Sequence, residues 1–287
     1  MRKPARLLGR RWASLWFLAG FLAPPDDGPG VPMNVVSMND SQRAAQGGLS
    51  VLSLRFEVID DRPDWPAVSV LVDGRDPFAA VAPGWRGFDP AKILGPGSPL
   101  LPADQGRRVA VYCCSCGDPG DGVIAPVIFP SPDGRRVSWV DFRDYTGVFD
   151  DPVADSWDDE GRPWDLQDLH FSREQYVSEV DRASRDRSWE TDRRRVARLL
   201  YERLEPLKLV LPPGLGLAWA APAWSKNGVL LMFQRVIGVP QPAIDQQMLR
   251  LTSTLTDPDD AAEDMARQLL STRPDDWVGS FGQDPED

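Results

Sequence analysis

The chain has 287 residues, 42% hydrophobic and 26% charged, an ordinary globular composition for one large domain or two small ones. Asp and Glu number 43 against 32 Lys and Arg, and the net charge of -11 repels phosphate backbones. That balance argues against nucleic-acid binding and suits a basic protein partner.

The first residues break the pattern. Arg2, Lys3, Arg6, Arg10 and Arg11 precede an apolar run, Ala13 to Ala23, with no acid among them. These are the n-region and h-region of a signal peptide, and a secreted protein follows if they are genuine. The run is too short for a bilayer, which takes about 20 residues, so no stable transmembrane helix is expected. The rival reading starts translation at Met33 or Met38 and gives a cytoplasmic protein. Pro24-Pro25 is a poor cleavage context, and an odd number of clustered cysteines suits a reducing compartment. Residues 24–50, rich in Pro, Gly, Asp and Ser, read as a flexible lead-in, so 1–50 stands apart from the folded chain.

Leu52, Leu54, Phe56 and Val58 alternate with polar residues and predict a half-buried strand. DRPDWP (61–66) reads as a loop, and Val68, Val70 and Val72 as a second strand ended by Asp73-Gly74. Residues 74–106 are dense in Gly and Pro, with one helical turn expected after Asp89. Strands follow at Arg108 to Tyr112, Gly122 to Phe129 and Arg136 to Phe142, with Pro126 marking an edge or a bulge. An acidic, Trp-rich surface loop is expected over 150–170. Ser172 and Gln175 then fit a capping box, and Phe171 with Tyr176 a hydrophobic staple, for a helix to about Arg187. A second helix begins near Thr191 and stops at Pro206. Strands are predicted at 208–211, 216–220, 228–237 and 247–252. A helix opens at Asp257-Pro258, with Ala262, Met265, Ala266 and Leu269 inward. The fold class is α+β: an antiparallel sheet domain with a helix over 51–190, then a smaller αβββα unit over 191–277. Residues 278–287 are expected to be a disordered tail.

All cysteines lie in CCSCGDPGDG, 113–122. Cys113-x-x-Cys116 can give two thiolates to zinc. A closed site needs four ligands, and Cys114, Asp118, Asp121 and His170 are the candidates to complete it. A thioredoxin-like dithiol needs a helix after the first Cys, and GDPGDG forbids one. The same residues also suit a plain tight turn, with Gly117, Gly120 and Gly122 giving backbone freedom and Asp118 closing an Asx-type turn. Asp141 shares a strand face with Val137 and Trp139. It is read either as a sheet-edge residue or as a buried polar candidate, whose raised pKa would suit general acid or base work, alone or with Asp118 or Asp144.

Tyr112-Cys113-x-x-Cys116-Gly117-Asp118-x-Gly120-x-Gly122, followed by Trp139-x-Asp141-Phe142, resembles a motif of uncharacterised bacterial proteins common in actinobacteria, C-x-x-C-G-D-x-G-C-G then W-x-D-F. The resemblance covers about residues 107–145 and implies no established activity. Where that group has a further cysteine, this chain has Asp121. If that cysteine is a metal ligand, the resemblance implies an oxygen donor in its place here, or a lost site.

No G-x-S-x-G, P-loop, Rossmann glycine pattern or HExxH occurs. The basic run Arg193-Arg194-Arg195 with Arg198 is expected to be neutralised by acids of 150–192. Trp157 and Trp164, set among acids, are candidates for a partner-binding surface. Two functions are consistent with these features. One is a non-enzymatic protein-binding or immunity-like protein that binds a basic protein. The other is a hydrolase-like or metal-dependent enzyme using carboxylates near the CxxC turn.

Overall fold

A computed structural model describes residues 48–59, 62–95, 97–154, 161–224, 227–237 and 243–282. Both helices and antiparallel sheets are present, so the chain is α+β. Among the described residues, no helix is long and apolar enough to cross a membrane. The signal-like segment, the alternative start sites and Trp157 lie outside the described residues.

The chain divides into two compact units, neither of them continuous in sequence. A two-stranded sheet, β1 (Leu52–Ile59) and β2 (Arg62–Val72), contributes to both. DRPDWP, expected as a loop, is largely strand. A two-stranded sheet consists only of edges, so Pro63 and Pro66 interrupt no ladder on a far side.

The first unit takes in residues 48–53, 70–87 and 99–179. Its sheet runs β3 (Arg86–Gly87), β5 (Tyr112–Cys113), β6 (Val123–Pro130), β7 (Arg136–Asp144) and β8 (Arg162–Pro163). In addition β4 (Arg107–Arg108) pairs with β6, and β9 (Leu169–Ser172) with β7. The expected third strand is therefore two short ladders, joined by Val109 and Val111 donating to Pro126 and Ile124 carbonyls. β6 and β7 pair antiparallel, with a register shift between Ala125 and Val127. Pro126 has no N–H to give, and the ladder bulges there.

Trp139 on β7, Phe171 on β9 and Tyr176 on helix α2 (Arg173–Arg185) form an aromatic cluster with centroids 5.4–6.3 Å apart. Trp139 Nε1 donates to Tyr176 Oη, which donates to the Leu100 carbonyl, so both buried polar groups are satisfied. The capping box does not form. Gln175 instead clamps the Leu52 backbone, accepting from its N–H at 3.1 Å and donating to its carbonyl at 2.6 Å. That is strand-like pairing from one side chain.

The second unit takes in residues 54–69, 88–98 and 180–282. After Asp89, whose carboxylate accepts from Ala91 N, comes the short helix α1 (Pro90–Ile93). Helix α3 (Asp192–Leu204) is capped by Thr191 Oγ1, which accepts from Arg194 N. A four-stranded antiparallel sheet follows in the order β10 (Val210–Leu211), β11 (Leu215–Pro222), β12 (Val229–Ile237), β13 (Ala243–Leu251). All four strands expected over 208–252 are present, one more than the αβββα outline counts. Helix α4 (Pro258–Ser271) opens at Asp257, which accepts from Asp259 and Asp260 N–H groups. Leu200 and Leu204 of α3 and Ala262, Met265 and Leu269 of α4 pack on Leu231, Phe233, Leu249 and Leu251, one face of the sheet.

The tail prediction is corrected at its start. Trp277–Phe281 form helix α5. Trp277 is buried against Phe233 at 5.8 Å, and its Nε1 donates to the Leu269 and Thr272 carbonyls. Residues 283–287 lie outside the described residues.

Candidate functional site

The cysteine turn joins β5 to β6. Cys113 is the last residue of β5, in register with Arg86 and Val123, and its side chain is buried. Cys114 begins the turn, donating its N–H to the Gly122 carbonyl. Gly117 N–H donates back to the Cys114 carbonyl, which curls Cys116 onto Cys114. Gly117 takes a positive φ of 83°, which favours glycine. Cys114 and Cys116 form a disulfide. The proposed Cys113–Cys116 pair is therefore corrected: the sheet holds Cys113 inside, and the turn brings Cys114 to Cys116.

Asp118 Oδ1 accepts from Gly120 N at 2.8 Å, ahead of a 3-10 turn over Pro119–Asp121. A Cβ on Gly122 would meet the Trp85 ring at 3.0 Å and Asp144 Oδ1 at 3.2 Å, so a side chain here would have to push one of them aside. Cys116 Sγ lies 3.7 Å from Asp121 Oδ2. One atom each from Cys114, Cys116 and Asp121 falls within 4.8 Å of the others, and among the described residues this is the group that could hold a metal ion. His170 is elsewhere engaged, its Nδ1 2.9 Å from Ser138 Oγ.

Asp141 lies at the β6–β7 bulge with φ 49°, a conformation Asp tolerates better than most residues. The bulge breaks the alternation that places Val137 and Trp139 inward, so Asp141 turns out and Phe142 turns in. Asp141 Oδ2 accepts from Arg108 Nη2 at 2.5 Å, and Oδ1 from Arg143 Nε at 2.8 Å. Partial burial opposes ionisation, but the hydrogen bonds and charges of Arg143 and Arg108 outweigh it and hold the carboxyl below its ordinary range. The buried, raised-pKa reading of Asp141 is thus corrected. Asp118 and Asp144 do not pair with it among the described residues. Asp144 accepts from Val123 N and bridges Arg162.

Trp164 is part of the fold as well. Its Nε1 donates to the Val123 carbonyl, its ring stands edge-on to Trp85 at 5.3 Å, and Arg162 lies over it. The arginine run finds its acids mostly outside 150–192. Arg193 pairs with Asp64, Arg194 with Asp89, and Arg195 with Asp259, while Arg198 pairs with Glu190 and Glu202.

A more open surface appears in the second unit. The sheet face opposite the helices carries Val236 directly across from Ile244, and Gln234 from Gln246, with Val210 in the Gln234 row through Gly216. Val236, Ile244 and Val210 are 69%, 62% and 55% exposed, whereas Leu230 and Met232, further along the same face, are buried. Sequence reasoning missed this face because strand periodicity shows two faces without showing which one the helices cover.

Comparison with protein-family models, with curated proteins and with solved structures returns no match.

Proposed function

We propose that the protein is a non-enzymatic binding protein that neutralises or sequesters a basic protein partner, in the manner of an immunity protein, and that the exposed end of this sheet face, around Val236 and Ile244, is where the partner docks. The observation that carries this is the exposed cross-strand pair Val236–Ile244, with Val210 nearby, on a face that the helices leave uncovered. Exposed apolar side chains in a polar frame, here Gln234 and Gln246, are the usual make-up of a docking patch. The net charge of -11 supplies long-range attraction for a cationic partner and repulsion for nucleic acid. The carboxylates near the cysteine turn lend less support to an acid–base enzyme, since Asp118, Asp141 and Asp144 are each held by their own donors.

The test is affinity capture from the native cells with the full chain, beside a variant carrying Val236→Lys and Ile244→Lys. A basic protein retained by the native chain and lost by the variant supports the reading. A basic partner retained equally by both moves the docking surface elsewhere. Capture of no basic protein at low salt removes the reading.

A further inference from the structure

We propose that Cys114, Cys116 and Asp121 form a thiol-gated site for a soft divalent cation such as zinc. The disulfide form excludes the ion and the dithiol form takes it up. This inference is independent of the sheet face above.

Two sulfurs and a carboxylate oxygen within 4.8 Å of one another match the ligands zinc takes. A tetrahedral zinc with sulfur at about 2.3 Å and oxygen at about 2.0 Å sets those two ligand atoms about 3.5 Å apart. Cys116 Sγ and Asp121 Oδ2 already stand 3.7 Å apart. The Asp118 carbonyl lies 3.5 Å from Cys114 Sγ and 3.9 Å from Cys116 Sγ, close enough to offer a fourth ligand.

The turn is preorganised. Cys114 N–H to Gly122 O, Gly117 N–H to Cys114 O and Asp121 N–H to Asp118 O hold the turn without help from the disulfide. Asp118 N–H points at Cys116 Sγ from 3.4 Å and helps to hold the sulfur in place. Opening the disulfide therefore leaves the ligands in place, apart from side-chain rotation.

The disulfide joins residues only two apart. So short a loop removes little freedom from the unfolded chain, and the bond adds little stability. Cys114 and Cys116 are half-buried and Asp121 is exposed, so a reductant and an ion both have access. Such disulfides belong to the labile class.

The chemistry balances as follows. A small dithiol attacks one sulfur of the Cys114–Cys116 bond through a mixed disulfide, and its second thiol displaces the protein sulfur. The reductant leaves as a disulfide, two electrons poorer, and the protein gains two thiols. Zinc binding then releases two protons from the thiols. A small-molecule disulfide reverses the first step: it takes two electrons from the two thiolates as the Cys114–Cys116 bond re-forms, leaves as a dithiol with two protons from solvent, and the ion is released.

The experiment is a titration of the full chain with cobalt(II) alone as spectroscopic probe, then zinc in competition, on the phosphine-reduced and the oxidised protein. The expected result is thiolate-to-cobalt charge-transfer absorption saturating at one equivalent in the reduced protein, displaced by zinc, and absent in the oxidised protein. Cys114→Ser and Cys116→Ser abolish it, and Cys113→Ser retains it. Asp121→Asn weakens binding about tenfold or more, the scale on which metal sites respond even to loss of supporting groups. Absence of the bands in the reduced native chain overturns the proposal, as does equal binding in the oxidised chain. Loss on Cys113→Ser with retention on Cys114→Ser also overturns it. The reduced-against-oxidised comparison needs no substitution, so it decides even if a variant misfolds.

Discussion

Arg108, with a side chain 1% exposed, spans the β6–β7 bulge: one guanidinium nitrogen donates to the Ala125 and Asp141 carbonyls, each at 2.7 Å, and the other to the Asp141 carboxylate at 2.5 Å. A bulge leaves carbonyls without ladder partners, and Arg108 supplies the missing donors from inside the sheet. The Tyr145 ring lies 5.5 Å from the guanidinium carbon. Asp141 thus acts as the counter-charge of a buried structural arginine.

Asp141→Ala leaves the Arg108 charge without its carboxylate and places alanine at positive φ. The expected loss is about 1–3 kcal/mol, below the usual cost of breaking a buried pair because Asp141 reaches water. The denaturation midpoint should fall with an unchanged m-value. The pH dependence follows from the lowered pKa of Asp141. Its stabilisation is complete above the unfolded carboxyl value, about 3.9, and is lost as pH falls through the lower folded value. The native chain should therefore lose stability more steeply than Asp141→Ala below about pH 4.

Tyr176→Phe removes the hydroxyl between Trp139 Nε1 and the Leu100 carbonyl. Two buried groups lose a partner, at an expected cost of about 2–3 kcal/mol, readable by chemical denaturation. Burial pushes this hydroxyl far above its ordinary range, against a smaller lowering from the Trp139 hydrogen bond. Folding thus selects the neutral form. That contribution is complete below the unfolded tyrosine value of about 10 and is lost as pH rises through the folded one. Tyr176→Phe should lack this alkaline loss.

Trp277→Ala opens a void beside Phe233 and removes the donor that caps the Leu269 and Thr272 carbonyls. An expected loss of about 3–5 kcal/mol should appear as a lower melting temperature. An unchanged melting temperature would mean that α5 contributes nothing to the core.

Val236→Lys with Ile244→Lys touches exposed positions only. Stability should change by less than about 0.5 kcal/mol per site. Partner capture should be lost while the thermal melt is preserved, which separates docking from folding.

Local chemistry was readable where it acts alone. Thr191 and Asp257 cap their helices through their own side chains, and Ala262, Met265 and Leu269 fall inward at helical spacing. It failed where a distant residue decides. Gln175 looks like the partner of Ser172, yet it pairs with Leu52, 123 residues away. Asp141 reads as inward until the bulge opposite Pro126 reverses the phase. Cys113-x-x-Cys116 has familiar spacing, but the Gly117 turn selects Cys114. Trp277, preceded by Asp275-Asp276 and followed by Val278-Gly279-Ser280, gives little sign of a core anchor.

The Gln175 clamp also sets an order of events. Ser50 N–H bonds the His170 carbonyl, and the Leu52 backbone waits for a side chain 123 residues downstream. During synthesis, β1 can pair with β2 at once, but Leu52 emerges long before the Gln175 side chain that clamps it. Loops of that span close late, so completion of this unit follows emergence of the α2 helix from the ribosome. A chain arrested before residue 175 should leave Leu52 open to a protease, and one released just beyond α2 should protect it.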